Sequence, residues 1–452
     1  MALSPDLIQK YNRPVPRYTS YPTVPFWEND LDPNSWENLV QIAYNDFGKE
    51  EGICLYIHLP FCESLCTYCG CTKRITKNHQ VENPYLEAVL REWRSYRILF
   101  SESPKIAAIH LGGGTPTFFS PEHLKFLISE ILNTAKPSTN REFSFEGHPN
   151  NTTREHLQVL AELGFDRVSY GIQDFDPAVQ KAIHRIQPFE IVKEATELAR
   201  NLGYKSVNFD LIYGLPNQTL DTLEDTFLKV GELIPDRIAF YSYAHLPSAF
   251  PAQKSFEAHL PKEEEKRALY EFGKEKLLEM GYHEIGMDHF ALPDDPLFIA
   301  KRAGKLHRNF MGYTTLASRM LLGLGASSIS DVGIGFAQNE KNHSDYQENT
   351  LNSRFFPVKG HALTQEDREI RPLILDIICK GEAEIPFSIW EKLPESSHEG
   401  LVEFQKDKLI TLEGFHLKVT EDGMALVRNI CALFDLRMIE SKEAKKEFSR
   451  AI

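Results

Sequence analysis

The chain has 452 residues, 42% hydrophobic and 25% charged, which suits a large globular domain with smaller appendages. Its formal net charge of −14 argues against a general nucleic-acid binder, which needs a basic footprint. The same charge leaves room for a local basic pocket that takes an anionic small substrate. No apolar run is long enough to span a membrane. The opening MALSPDLIQKYNRPVPRYTSYP lacks the charged-then-apolar layout of an export signal, so a cytoplasmic location is expected. In that compartment seven cysteines, an odd number, point to metal binding or catalysis rather than to disulfides.

Residues 1–50 are expected to form an arm. Pro14, Pro16, Pro22 and Pro25 deny it regular helix, and Tyr18, Tyr21, Phe26 and Trp27 give it a surface to dock with. From Ile53 onward short apolar runs alternate with amphipathic stretches. Strands are predicted at 54–59, 106–111, 142–146, 167–171, 206–212 and 237–243. Helices are predicted at 84–100, 121–133, 154–163, 191–202 and 219–234. Such alternation implies an α/β fold on a parallel sheet, and six units suit a partial (β/α)6 TIM-like barrel over residues 51–245. Ligands of these folds gather at the C-terminal ends of the strands.

Residues 246–364 read as a barrel extension carrying substrate-side elements. They hold a long charged helix at 262–280, GMDHF at 286–290, a basic patch of Lys301, Arg302, Lys305, His307 and Arg308, and a small-residue tract at 312–335. Residues 365–452 read as a small, mostly helical domain with a winged-helix-like unit from residue 401. On so acidic a chain that unit is read as a packing domain rather than a DNA reader.

Four cysteines, Cys62, Cys66, Cys69 and Cys71, follow the apolar run 53–59. Thiolates select zinc or iron–sulfur clusters. Structural zinc normally draws hooks from two places in the chain. Here the close thiols share one loop, and Cys54, Cys379 and Cys431 stand alone, so a cluster is favoured. Three thiolates on a cubane leave the fourth iron open to a small ligand. Spacing alone allows Cys71 to be a fourth ligand, or to lie too close to Cys69 to share the cluster.

Other unusual residues fall at predicted strand ends. LGGGTP (111–116) lets backbone approach a ligand closely. Glu146 could accept hydrogen bonds from an amino group or from hydroxyls. Gln173 can donate and accept, and Arg185 can reach a carboxylate with a bidentate fork. Asp210 sits inside an apolar strand and needs a partner.

The pattern C-x-x-x-C-x-x-C with Tyr68 inside it resembles the radical S-adenosylmethionine superfamily. The resemblance implies one 4Fe–4S cluster on Cys62, Cys66 and Cys69, with Cys71 outside the ligand set. The fourth iron would be chelated by the amino and carboxylate groups of S-adenosylmethionine. PRYTSYP (16–22), CGC (69–71), GIQDF (171–175), DLIYGLP (210–216), GMDHF and LHRNFMGYTT (306–315) together resemble the oxygen-independent coproporphyrinogen III oxidase family. That resemblance covers almost the whole chain.

It implies that Tyr56, Gly113, Glu146 and Ile329 contact the cluster-bound S-adenosylmethionine. A second S-adenosylmethionine would contact Tyr68, Gly114, Thr115, Gln173, Arg185, Asp210 and Ala244. The family has aspartate or asparagine two residues after the glutamate; this chain has His148. The implied reaction removes a hydrogen from the propionate β-carbons of rings A and B of coproporphyrinogen III. Loss of carbon dioxide and an electron then leaves the vinyl groups of protoporphyrinogen IX.

In the catalytic set, Arg308 would pair with a substrate carboxylate, and His58 would play a supporting polar role. The arm would close over the reacting centre. An electron donor such as a flavodoxin-type reductant, an unknown acceptor and a monomeric state are implied, with no nucleic acid and no membrane partner. Alternatives are a haem chaperone or a haem-degrading methyltransferase on the same scaffold, and a zinc-stabilised binding protein. PRYTSYP and CGC weigh against the chaperone, and GMDHF with LHRNF weighs against the methyltransferase.

Overall fold

The structure, a computed structural model, describes residues 5–29, 31–441 and 448. The chain groups into two compact units, Glu28–Tyr282 with Ala317–Ala362, and Met1–Trp27 with His283–Leu316 and Leu363–Ile452.

The first unit is built on β1 (Ile53–Leu59), β2 (Lys105–Gly113), β3 (Lys136–Gly147), β4 (Arg167–Gln173), β5 (Ser206–Tyr213) and β6 (Arg237–Ser242). Each pairs with the next in parallel, as the (β/α)6 reading expects. Between them run α1 (Glu82–Leu99), α2 (Pro121–Leu132), α3 (Arg154–Glu162), α4 (Pro177–Ala182), α5 (Phe189–Asn201) and α6 (Leu220–Leu233). All of β1 except Tyr56 is buried, because helices and loops cover both faces of a parallel sheet. Helix starts are fixed locally. The hydroxyls of Ser120, Thr153 and Thr219 accept from backbone N–H groups of the first turns of α2, α3 and α6. Pro121 and Pro177 supply the preset first helical φ.

Three features depart from the sequence reading. Strand β3 starts at Lys136 rather than 142, because polar KPSTNR carries no apolar alternation yet its backbone pairs with Lys105 and Ile106. Helix α4 is too short to display a period. The sheet also continues past β1. β7 (Leu321–Leu324) pairs with β1 in parallel, and β8 (Ile329–Asp331), β9 (Gly335–Gln338) and β10 (Lys359–Ala362) follow antiparallel. Gly323 faces Tyr56 in register, and a Cβ on it would lie 2.5 Å from the Ile329 carbonyl oxygen. That close approach explains one glycine of the small-residue tract.

A buried polar network ties this extension to the barrel. On α1, Glu92 accepts from Gly325 N–H at 2.9 Å, Tyr346 O–H at 2.6 Å and Asn339 Nδ2–H at 2.6 Å. Two turns earlier, Tyr85 donates to the His58 carbonyl at 2.8 Å and accepts from Ala326 N–H at 2.9 Å. The β7–β8 turn is thereby fixed to the end of β1.

In the second unit, a helix (Gln365–Lys380), shorter helices and an antiparallel sheet of Glu382–Glu384, His416–Val419 and Ile410–Glu413 form a winged-helix-type arrangement. The N-terminal segment belongs to this unit. It begins as a helix (Pro5–Tyr11), stacks Tyr11 on Phe404 at 4.3 Å, and buries Tyr18 and Tyr21. Tyr18 donates to Asp435 at 3.1 Å, and Arg428 donates to the Pro16 carbonyl at 3.0 Å. PRYTSYP is therefore part of a core rather than a free lid: swinging it away would expose both tyrosines and strand Arg428. Among the described residues no helix is long and apolar enough to cross a membrane.

Replacing Glu92 with leucine leaves two buried donors, Gly325 N–H and Tyr346 O–H, without an acceptor and takes one of three acceptors from Asn339 Nδ2. The Glu92→Leu variant is expected to lose at least about 3 kcal/mol of unfolding free energy in urea titration.

Candidate active site

The cysteine loop leaves the end of β1 and is held by backbone hydrogen bonds on every side. Arg74 N–H donates to the Pro60 carbonyl at 2.8 Å and Thr76 N–H to the Cys62 carbonyl at 2.9 Å. Thr67 donates through its N–H to Ile183 at 3.1 Å and through its hydroxyl to Ala182 at 3.3 Å, anchoring the loop to the end of α4. The loop after β2 lies directly on it: Gly114 N–H donates to Leu59 at 2.9 Å and Thr115 N–H to Phe61 at 3.0 Å. A Cβ on Gly114 would meet the Pro60 oxygen at 2.6 Å, so no other residue allows this approach. Gly113 has a φ of +116°, and its added Cβ would strike the His58 ring at 2.9 Å.

The thiols are electrostatically distinct. Burial pushes Cys62 up to about 11, opposed by the Thr115 hydroxyl, which donates to its sulfur at 3.2 Å. Cys69 is held below the usual thiol range, first by a hydrogen bond from Cys71 and further by Lys73. The Lys73 ammonium also donates to the Cys69 carbonyl at 2.8 Å. Arg185 bridges the loop to β4. Its Nε and Nη2 donate to the Gly171 carbonyl at 3.0 and 2.6 Å, and its Nη1 reaches the Cys66 sulfur at 3.5 Å.

Beside the loop stand the strand-end groups. The Tyr56 hydroxyl and His58 Nδ1 are 3.1 Å apart, and His58 Nε2 meets the Thr72 carbonyl at 2.9 Å. Burial lowers the His58 pKa, so the ring is neutral near pH 7. Glu146 accepts from Gly113 N–H at 3.3 Å and lies 3.5 Å from His110 Nε2. Asp210 on β5 is pushed up to about 7, chiefly by burial and then by repulsion from Glu146. Its hydrogen bond, from the Ser169 hydroxyl, is long at 3.4 Å. Gln173 closes β4 in the left-handed region at a φ of +69°. Tyr68 packs against Val179, Ile183 and Tyr243.

A Radical SAM superfamily model matches residues 56–230. Oxygen-independent coproporphyrinogen III oxidases of Synechocystis sp., Pseudomonas aeruginosa and Escherichia coli are 37%, 40% and 37% identical, each over 99% of this chain and 98% of the relative. The chain belongs to the oxygen-independent coproporphyrinogen III oxidase family. The solved coproporphyrinogen III oxidase of Escherichia coli agrees, with a TM-score of 0.88 at 34% identity over 97% of this chain and 99% of that one.

Membership in the coproporphyrinogen III oxidase family brings a 4Fe–4S cluster and S-adenosylmethionine, and the residues present fit them. Among the described residues no group of three or more Cys, His, Asp or Glu converges as a single bound ion requires. A cubane instead spreads its thiolates over separate irons. The three glycines let the loop lie against Glu146, His58 and Pro60, each of which an added Cβ would strike.

Two residues after Glu146 this chain has His148. His148 Nδ1 accepts from Asn150 N–H at 3.2 Å, the i to i+2 bond that an Asx side chain makes. Burial, then the nearby Arg185 charge, lowers His148 to about 3, so it adds no cation.

Cys62, Cys66, Cys69, Tyr56, His58, Tyr68, Gly113, Gly114, Thr115, Glu146, Gln173, Arg185, Asp210, Ala244 and Ile329 all fall in the barrel unit. Arg308 falls in the other unit, on a hairpin of His307–Asn309 and Gly312–Thr314. It is buried, and its guanidinium lies 4.6 Å from the Tyr313 ring centre. Among the described residues its Nε and Nη1 have no hydrogen-bond partner. The rest of the basic patch is dispersed: Lys301 donates to the Glu284 carbonyl at 2.7 Å, and Arg302 and Lys305 are exposed.

Sequence reasoning missed Gln253. This buried amide donates to the carbonyls of Tyr68 at 3.1 Å and Ala244 at 3.3 Å, and accepts from Leu246 N–H at 2.6 Å. It joins the cysteine loop to the end of β6. A Gln253→Leu variant loses both donations, each worth about 1 kcal/mol. After anaerobic reconstitution it is expected to hold less than half the iron of the wild type, with an unchanged far-UV circular dichroism spectrum.

Proposed function

We propose that this chain carries out the oxygen-independent oxidative decarboxylation of two propionates of coproporphyrinogen III, giving protoporphyrinogen IX in haem biosynthesis. The observation that carries the reading is the cysteine loop sealed onto the glycine loop, in a chain that aligns end to end with coproporphyrinogen III oxidases. When bound, the cluster supplies the electron that splits S-adenosylmethionine into methionine and a 5′-deoxyadenosyl radical.

The remaining work is positional. Cys62, Cys66 and Cys69 hold the cluster. Tyr56, Gly113, Glu146 and Ile329 line a first S-adenosylmethionine. Tyr68, Gly114, Thr115, Gln173, Arg185, Asp210 and Ala244 line a second. The N–H groups of Gly113, Gly114 and Thr115 are already engaged within the protein, and the Thr115 carbonyl accepts from Phe118 N–H, so an ammonium would be met by the carbonyls of Gly113 and Gly114. Glu146 and Asp210 form a carboxylate pair whose mutual repulsion a cationic ligand relieves. Arg185 offers a cation to a carboxylate. His58, neutral and clasped by Tyr56 and Thr72, positions the loop rather than donating a proton. Arg308 carries a buried charge with two unsatisfied nitrogens, a fit for a substrate propionate. The chain works as a cytoplasmic monomer and draws its electron from a flavodoxin-type protein.

Anaerobic incubation of the reconstituted protein with dithionite, S-adenosylmethionine and coproporphyrinogen III is expected to yield methionine and protoporphyrinogen IX. Methionine without any porphyrinogen product would reject the substrate. Cys66→Ser is expected to abolish both products. Arg308→Ala is expected to raise KM for coproporphyrinogen III about tenfold or more, as loss of a buried charge pair does.

Asp210 gives a pH signature. Its pKa in the free protein is raised to about 7, so it is increasingly protonated below that pH. A cationic ligand needs it ionised. Affinity for S-adenosylmethionine should therefore fall by up to about tenfold per pH unit below 7 and level off above it. Equilibrium dialysis from pH 5.5 to 8 checks this, and Asp210→Asn is expected to flatten the profile.

A further inference from the structure

A site that starts by reduction needs an electron from outside the chain, and one surface over the cysteine loop is built to receive its carrier. Residues 64–81 contain no aspartate or glutamate, in a chain with 64 acidic residues, and they include Lys73, Arg74 and Lys77. Arg74 and Ile75 form a short parallel ladder with Phe61 and Cys62. Thr76 N–H donates to the Cys62 carbonyl at 2.9 Å. The segment carrying Arg74 to Lys77 is thus hydrogen-bonded to the peptide of a cluster cysteine. Lys73 turns inward to the Cys69 carbonyl, whereas Arg74 and Lys77 are exposed, and neither forms an ion pair among the described residues.

Between and beside them stand two exposed apolar side chains, Leu65 at 41% and Ile75 at 37% exposure. Two acids meet His79 at the rim, Glu63 at 3.4 Å and the buried Glu82 at 2.6 Å. Exposed apolar side chains and unpaired cations carried on one segment over the cysteine loop are the composition of a weak, electrostatically steered interface. It contrasts in sign with the net charge of the whole molecule, so a carrier that the rest of the surface repels is drawn here.

We propose that the surface of Leu65, Arg74, Ile75 and Lys77 docks an acidic one-electron carrier protein, which reduces the cluster through the loop beneath. This rests on the radical reading of the site. In the step, the carrier is oxidised by one electron and the cluster goes from the 2+ to the 1+ state. No bond forms or breaks, and no proton need move on this chain. The contact is small and transient, as electron-transfer encounters are.

The test uses an acidic flavodoxin as the probe and the double variant Arg74→Glu/Lys77→Glu. Fluorescence titration at low salt is expected to give binding by the wild type that weakens as salt is raised. The variant is expected to bind about tenfold or more weakly. Stopped-flow reduction of the variant's cluster by flavodoxin hydroquinone should slow by a similar factor. Methionine formation driven by dithionite, which needs no docking, should match the wild type. A variant that binds flavodoxin and accepts its electron as the wild type does overturns the proposal, as does a wild type that does not bind flavodoxin at low salt. If dithionite fails to drive methionine formation in the wild type, the radical reading fails instead, while the binding arm still decides the surface. Should charge reversal disturb cluster uptake, Arg74→Gln/Lys77→Gln is titrated without cluster, and unchanged binding there also overturns the proposal.

Discussion

The closeness of the glycine loop to the cysteine loop is the constraint on which the rest depends. Gly114 and Thr115 donate their N–H groups to Leu59 and Phe61, and the Pro60 oxygen occupies the space where a Gly114 side chain would begin. Two adjacent strand ends are thereby sealed together, and the Thr115 hydroxyl is delivered to the Cys62 sulfur. The same contact settles what the loop can offer a ligand. The Gly114 and Thr115 N–H groups are consumed in holding the cysteine loop and the Gly113 N–H in meeting Glu146, so none of the three is left to receive an anion. A P-loop does the opposite with the same residue type, because there the N–H groups stay free.

Charge in the site is arranged around what is missing. Glu146 and Asp210 repel each other, and Asp210 has little hydrogen bonding to ease its burial. His58 and His148 add no cation, since burial lowers the pKa of both. Arg185 is the local cation, and its fork is committed to the Gly171 carbonyl and the Cys66 thiol. A buried charge without a partner is costly. A zwitterionic sulfonium ligand supplies both signs at once, so binding relieves a strain that folding leaves in place. The site is therefore expected to sit at the less stable end of the molecule until it is filled.

The frame was legible because its signals are local. Six strands and five of the helices between them show in apolar periodicity, and the cysteines declare themselves by spacing. What stayed hidden is held by long-range pairing. Gln253 is a polar residue in an unremarkable stretch, and its partner Tyr68 lies 185 positions away. Glu92 looks like any acid on an amphipathic helix until the fold brings Gly325, Asn339 and Tyr346 to it. Strand β7 is four residues long and pairs with a strand more than 260 residues earlier, so no window along the chain could join them. PRYTSYP is non-helical, as its prolines require, but it bends through Tyr18 at a φ of +48° rather than running extended, and proline content cannot say whether such an arm is mobile. Burial of Tyr18 and Tyr21 decides that.

Gln173 shows how such hidden pairing shapes the site. A non-glycine residue at a φ of +69° costs about 1 kcal/mol or more and persists only where its surroundings insist on it. Here they do. On one side, Gln187 Nε2 donates to the Gly171 carbonyl at 3.1 Å, and the Gln187 N–H donates to Gln180 at 3.0 Å. On the other, buried Asp174 accepts from Gln218 at 2.7 Å, Thr226 at 3.0 Å and Asp176 N–H at 2.6 Å. The strand end is clamped before and after the strained residue, so its turn is a fixed feature rather than a fluctuation. The clamp has a second consequence: the Gly171 carbonyl that Gln187 holds is the one that receives Arg185. The backbone twist at Gln173 and the anchor of Arg185 on the Gly171 carbonyl are one structure, so the end of β4 and the guanidinium fixed to it cannot be adjusted independently.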